Sequence, residues 1–286
     1  MTRLSAFIEG IGLLGPGLPD WTQAAEVLAG RAAYAPERTI LPAPTSLPPV
    51  ERRRTGPVVK LALAVGHEAV AASGRDAATL ATVFSSSGGD GQNCHVICET
   101  LASDDRKLSP TRFHNSVHNA PAGYWSIATH ATAPSNVLCA HDGSFAAGLL
   151  ESLCQVTVDG AANLLIVYDS DYPEPLRAVR PVPDAFAVAL VLAPEPSTHT
   201  LARIDVALTD AHATTLAHAE LEALRGGNPA ARVLPLLEAL RHSGRKAWCS
   251  TTCLTRACKW MSRCGVPMAS SAQVRHDAGC SAVAAA

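Results

Sequence analysis

The chain has 286 residues, of which 48% are hydrophobic and 17% charged, and its net charge is −2. This composition excludes a disordered chain, and the charge excludes an overall basic field of the kind that gathers nucleic acid. No apolar run reaches the roughly 20 residues of a membrane-spanning helix, and the length suits one or two domains with a sizeable core.

From the N-terminus, Met1 to Glu9 places charge inside its only apolar stretch. That makes a poor signal peptide and predicts a soluble, cytoplasmic protein. Leu4 to Ile11 reads as a strand ending in glycine turns at Gly10, Gly12, Gly15 and Gly17. Asp20 is an N-cap candidate, with Gln23 at the capping-box position, for a helix from Trp21 to Ala29 that stops at Gly30. Residues 35 to 56 are proline-rich and carry Arg52, Arg53 and Arg54, which predicts a surface loop. Pro57 suits a first helical turn. Val58, Leu61, Ala62, Val65, Ala69 and Val70 then keep helical spacing up to Gly74.

Leu80 to Ser85 is an expected strand running into the Ser85 to Gly91 loop. That loop lacks a P-loop ending and dinucleotide spacing, so it reads as a tight turn. Helices are expected at Gln92 to Leu101 and around Ala120 to Ala131. A strand from Asn136 to Ala140 enters a sharp turn at His141, Asp142 and Gly143. A long helix, Ser144 to Val156, is apolar nearly all round and should be buried between layers. Strands follow at Leu164 to Tyr168 and Ala187 to Leu192, continuous and apolar as in sheets covered on both faces. A third strand near Ala202 to Leu208 precedes helices near Leu216 to Leu224 and Ala230 to Leu240. The alternation argues for α/β architecture.

Cysteine use divides the chain. Cys94, Cys98, Cys139 and Cys154 sit in apolar or helical contexts expected of buried free thiols. Cys249, Cys253, Cys258, Cys264 and Cys280 crowd the end without a Cys-x-x-Cys pair, so neither zinc nor disulfides are expected there. Residues 244–286 show no clean period and are expected to be irregular and poorly ordered, with residues 1–243 as the folded unit.

The segment from His118 to Ile127, then Ala133 to Glu151, resembles the nucleophile region of β-ketoacyl synthases. Ala122-Gly123 and Ser126-Ile127 match the family's Ala-Gly-x-x-Ser-Ile. Pro134 meets the turn proline, Ser144 the family serine and Glu151 a helix glutamate. Asp142 falls where the family keeps its nucleophilic cysteine. Weaker matches occur in order: the N-terminal strand, Leu108-Ser-Pro110, the strand after Asp159 and the strand from Phe186. Together they resemble the first half of a ketosynthase, over roughly residues 1 to 210. Nothing further on resembles the segments that hold its two catalytic histidines.

The resemblance points to the short ketoacyl-synthase-like N-terminal-domain group, some members of which are chain length factors of aryl polyene pathways. It implies a thiolase-like, layered αβαβα half-fold. It also implies a non-condensing partner in fatty acid or polyketide biosynthesis, forming a heterodimer with a full-length β-ketoacyl synthase and meeting an acyl carrier protein. No nucleic acid, membrane, cofactor or metal is expected. No catalytic residue is assigned: Asp142 is a vestigial nucleophile position, with Ser144 and His141 nearby.

The chemistry agrees with that implication. A thiolate at a helix start carries an acyl chain as a thioester. An aspartate would form a mixed anhydride, which water destroys, and its charge would repel a malonyl carboxylate. The ordinary reading of Asp142 is a helix cap, and that of Ser144 a helix-start hydroxyl. His141 and Asp142 are expected to point to opposite faces of a strand. His114-Asn115 and His118-Asn119 lack metal-ligand spacing and are expected to cap a helix, line the vestigial pocket or contact a partner. Arg52, Arg53 and Arg54 offer charge attraction to an acidic carrier protein, although a solvated loop is the slightly favoured reading. The alternative function is an acyl-thioester hydrolase or transacylase using Asp142 or a nearby histidine.

Overall fold

The computed structural model describes residues 3–241, 244–253 and 256–264. In chain order the elements are β1 (Leu4–Leu14), α1 (Trp21–Leu28), α2 (Pro49–Arg52), α3 (Pro57–Ser73), β2 (Ala81–Ser85), α4 (Gly91–Ala102), α5 (Pro110–His114) and α6 (Ala120–Thr129). They continue with β3 (Ser135–Leu138), a 3₁₀ turn (His141–Gly143), α7 (Ser144–Asp159), β4 (Asn163–Asp169), α8 (Leu176–Val179), β5 (Phe186–Ala193) and β6 (Ala202–Thr209). The last are α9 (Ala219–Gly227), a second 3₁₀ turn (Ala230–Val233), α10 (Leu234–Arg241), β7 (Gly244–Cys253) and β8 (Arg256–Cys264).

The described strands form one eight-stranded mixed sheet in the order β3-β2-β4-β5-β1-β6-β8-β7. β2 runs parallel to both β3 and β4, and β5 is antiparallel to β4 and β1. Helices cover both faces, and two apolar cores follow the period-two alternation of the central strands. Leu165, Val167, Val188, Leu190 and Leu192 pack with α7 and α10 on one face. Leu164, Ile166, Tyr168, Ala187, Ala189 and Val191 pack with α3 on the other. This is the thiolase-like α/β arrangement that the sequence leads one to expect.

The first strand differs from its expected end. β1 runs straight through Gly10 and Gly12, with a register shift between Ile8 and Gly10. A Cβ at either glycine would collide with a backbone carbonyl of α3, that of Ala69 or Val65. These glycines serve close helix–strand approach, not a turn. Asp20 caps α1 as expected, accepting from the Gln23 N–H at 2.7 Å.

α7 is buried along Phe145, Ala146, Leu149, Leu153 and Val156, while Ala147, Leu150 and Cys154 are half-exposed. It is therefore covered on one broad stripe instead of all round. The thiols also differ from expectation: Cys94, Cys98 and Cys139 are exposed and Cys154 is half-buried. At the end of the chain, where no period is visible, β7 and β8 form a hairpin that β8 joins to β6. Residues 265–286, including Cys280, lie outside the described residues.

Candidate functional site

The parallel strands β2, β3 and β4 end side by side, and the loops beyond such carboxyl ends are where open α/β sheets build ligand sites. The start of α7 is fixed there by small residues. Ser85 Oγ donates to the Ser144 carbonyl at 2.7 Å. Ser144 Oγ accepts from the Ala140 N–H at 3.1 Å and donates to the His141 carbonyl at 2.7 Å. Ser144 is thus a helix-start hydroxyl, as expected, with both its bonds spent on the turn.

Asp142 is not the helix cap. It lies in the 3₁₀ turn, and the N-cap position of α7 is Gly143, without a side-chain bond. Its carboxylate instead bridges two arginines from distant loops. Arg180 Nη2 donates to Oδ1 at 2.9 Å and Arg232 Nη2 to Oδ2 at 3.1 Å. Both guanidinium side chains are mostly buried, while Asp142 is about a third exposed.

His141 also departs from the strand reading. It sits in the same turn, with φ of 50°, so the two side chains do meet. Its Nδ1 is 3.5 Å from Asp142 Oδ1, and its Nε2 is 2.7 Å from Arg180 Nη1. A guanidinium only donates, so Nε2 accepts and the ring proton resides on Nδ1, facing Asp142.

The electrostatics reverse one sequence argument. A lone Asp142 would repel an incoming carboxylate, but here one negative charge faces two positive ones. Burial lowers the pKa of Arg232, Asp142 pulls it up, and Arg225 and Arg180 add repulsion, leaving a net lowering. For Arg180, burial is outweighed by hydrogen bonds to Asp142 and Tyr172, and its pKa is raised. The turn therefore carries surplus positive charge.

Behind this cluster lies a second carboxylate. Asp169, at the end of β4, is 1% exposed. Its Oδ1 accepts from the Ser87 N–H at 2.8 Å, Ser87 Oγ at 2.7 Å and Ser86 Oγ at 3.3 Å. Its Oδ2 has no partner. Burial pushes its pKa up to about 6, against the pull of the serine bonds and Arg180. The Ser85 to Gly91 segment is thus the expected tight turn, wrapped around a buried acid. Cys139 touches this turn, donating from Sγ to the Ser87 carbonyl at 3.2 Å.

The histidine–asparagine pairs are structural in placement. Asn115 donates to the Arg54 carbonyl at 2.6 Å and accepts from Tyr124 Oη at 3.1 Å, and the His114 ring meets the Tyr124 ring edge-on. Asn119 occupies the N-cap position of α6 without a side-chain bond, and His118 Nε2 is buried without a partner. Glu151 accepts from Asn136 and Gln155, each at 2.9 Å. Among the described residues, no group of three or more His, Cys, Asp or Glu side chains is arranged to hold a metal ion. None of the described helices is long and apolar enough to cross a membrane.

Sequence reading missed Arg180, Arg232 and Asp169. Asp169 had a signal, an acid closing an apolar parallel strand. The arginines had none, because their partner is remote in sequence.

An α/β sheet of this order, with a turn and a buried helix after β3, defines a ketosynthase-like protein of thiolase-type fold. The family model for the β-ketoacyl synthase N-terminal domain matches residues 21–260, and the chain belongs to that family. The match runs past the roughly 210 residues that carry the motif resemblance. No curated protein matches the sequence. Similar solved structures include the ketosynthase ApeO in complex with its chain length factor ApeC from Xenorhabdus doucetiae, at 21% identity and TM-score 0.69. That match covers 91% of this chain and 99% of the other. The ishigamide ketosynthase/chain length factor follows at 13% identity and TM-score 0.66, with 91% and 99% covered. The type II polyketide synthase assembly AntDE:AntF, an acyl-carrier protein complexed with its ketosynthase, follows at 12% and 0.67, with 92% and 100% covered. At these identities the likeness concerns the fold.

Proposed function

We propose that this chain is a non-condensing, chain-length-factor-like ketosynthase homologue that pairs with an active β-ketoacyl synthase in cytoplasmic fatty acid or polyketide biosynthesis of the aryl polyene type. The observation that carries this reading is Asp142. It stands where the family places its nucleophile, and both its oxygens are taken up by Arg180 and Arg232. A carboxylate so held is a poor acyl acceptor, because attack would break two charge-assisted bonds to form a labile anhydride. The same bonds weigh against the hydrolase or transacylase alternative.

The partner surface is the β3 edge of the sheet. β3 pairs only with β2 among the described strands, and Ser135 and Asn136 are exposed. An unpaired edge is a template for another strand. A cavity of about 530 Å³ along α5 and α6 exposes Phe113, Val117 and Ile127. Apolar surface of this kind marks interaction sites. An acidic acyl carrier protein finds complementary charge at the cleft where Arg53, Arg54 and Arg112 outnumber Asp90.

Co-expression with a full-length ketosynthase from the same genome, followed by size-exclusion chromatography, tests the reading. The two chains should co-elute, and Val117→Asp should weaken pairing by about tenfold or more, the cost of burying a charge in an apolar contact. A chain that elutes alone and leaves the product length of the synthase unchanged contradicts it.

A further inference from the structure

The α4 helix carries a pair of thiols outside the turn at Asp142. Cys94 and Cys98 lie one helical turn apart in this 12-residue helix and share one face. Both are exposed, and their side chains hydrogen-bond to each other. The scaffold beneath them is fixed at both ends. Asp90 Oδ1 accepts from the Asn93 N–H at 2.9 Å, and Asn93 Nδ2 donates to the Arg112 carbonyl at 2.9 Å. Ser103 Oγ donates to the Thr100 carbonyl at 2.8 Å. The two sulfurs are therefore brought together by a regular, capped helix.

Geometry limits what such a pair can do. Residues on successive turns of a helix have Cβ atoms roughly 5–6 Å apart, whereas a disulfide needs about 3.8 Å. A bond between these two sulfurs would unwind α4, but an atom placed between them would not. Burial, the neighbouring Cys98 and the Asp90 charge all raise the Cys94 pKa. This thiol keeps its proton at neutral pH and is a slow nucleophile, yet a thiophilic metal displaces such a proton. Ligand number then selects the metal. Among the described residues no third His, Cys, Asp or Glu completes a metal-holding group, and His95 Nε2 faces Glu99 Oε1 at 3.1 Å. Zinc takes four ligands. Cu(I) is a soft ion that thiolates select, and it accepts linear coordination by two of them.

We infer that Cys94 and Cys98 form a two-coordinate site for Cu(I), clamped across one turn of α4. The ion displaces both thiol protons to solvent and forms two Cu–S bonds, with no change of oxidation state.

Alkylation of the reduced full chain by N-ethylmaleimide, after addition of Cu(I) as its bicinchoninate complex, tests this. The readout is mass spectrometry of the tryptic peptide 76–106, which holds Cys94 and Cys98 and no other cysteine. Copper should leave this peptide with two labels or none, the thiols being protected together, while Cys139 is still labelled. Cys94→Ser or Cys98→Ser, both at exposed positions, should raise the copper needed to protect the remaining thiol by about a hundredfold, through loss of the second arm. Singly labelled peptide, protection of the remaining thiol that is unchanged in either variant, equal protection of Cys139, or no protection at all would overturn the assignment. So would a Cys94–Cys98 disulfide in the copper-free chain exposed to air.

Discussion

Asp142 follows β3 and Asp169 closes β4, the two parallel strands that flank β2, yet their surroundings solve opposite problems. Asp142 is part-exposed and held by two arginines from the β4–β5 loop and the turn before α10. Asp169 is buried, held by a backbone N–H and two hydroxyls, and one of its oxygens has no partner. The first carries an excess of opposite charge, and the second lacks a paired cation. The difference separates an acid that gathers distant segments by charge from one that shapes its own neighbourhood. Asp142 ties Arg180 and Arg232 to the turn before α7, while Asp169 shapes the Ser86–Ser87 turn by hydrogen bonding.

The contrast can be broken most severely at Asp169. Asp169→Leu keeps the bulk but removes every acceptor, stranding the Ser87 N–H in the interior. It should cost about 2–4 kcal/mol in urea unfolding. A cost near zero would mean that the turn does not depend on this acid.

Asp142→Ala should cost less, about 1–2 kcal/mol, because the pair is partly solvated although two cations lose their counter-charge. The loss should shrink in molar salt. It should also be non-additive with Arg232→Met, since each variant removes the same contact. Additive losses, independent of salt, would show that the ion pair contributes nothing and that Asp142 acts only through the backbone of the turn.

Asp169→Asn is the finest probe, because it keeps an oxygen for the serine donors and removes the charge. The folded pKa of about 6 lies above the ordinary 3.8. Between those values the native state binds a proton that the unfolded chain has released. Stability therefore declines as pH rises through that window, and the full cost is present above it. Asp169→Asn should be more stable than the parent at pH 7.5, by up to about 3 kcal/mol, and the difference should vanish near pH 4. Unfolding measured across this range checks it, and a constant difference would place the cause elsewhere than titration.

Much of the architecture was legible because it is written locally. The Asp20 cap, the α3 helix between Pro57 and Gly74 and the apolar β4 and β5 strands all follow from spacing and turn chemistry within a few residues. Gly10 and Gly12 were misread as turn residues because their reason lies across the layer, in the α3 carbonyls. The exposure of Cys94, Cys98 and Cys139 was likewise hidden, since an apolar neighbourhood in sequence need not face the core. The hairpin of β7 and β8 has no period of its own, and its strands are recognisable only through pairing, β8 with β6 and β7 with β8.

The sequence by itself determined the α/β class, the family and the presence of an aspartate at position 142, because residue identity and short-range order suffice for each. Only the tertiary structure decided what that aspartate does. Arg180 and Arg232 reach it from segments 38 and 90 positions away. Coulomb interaction depends on distance in space and on burial, and neither is encoded by position along the chain.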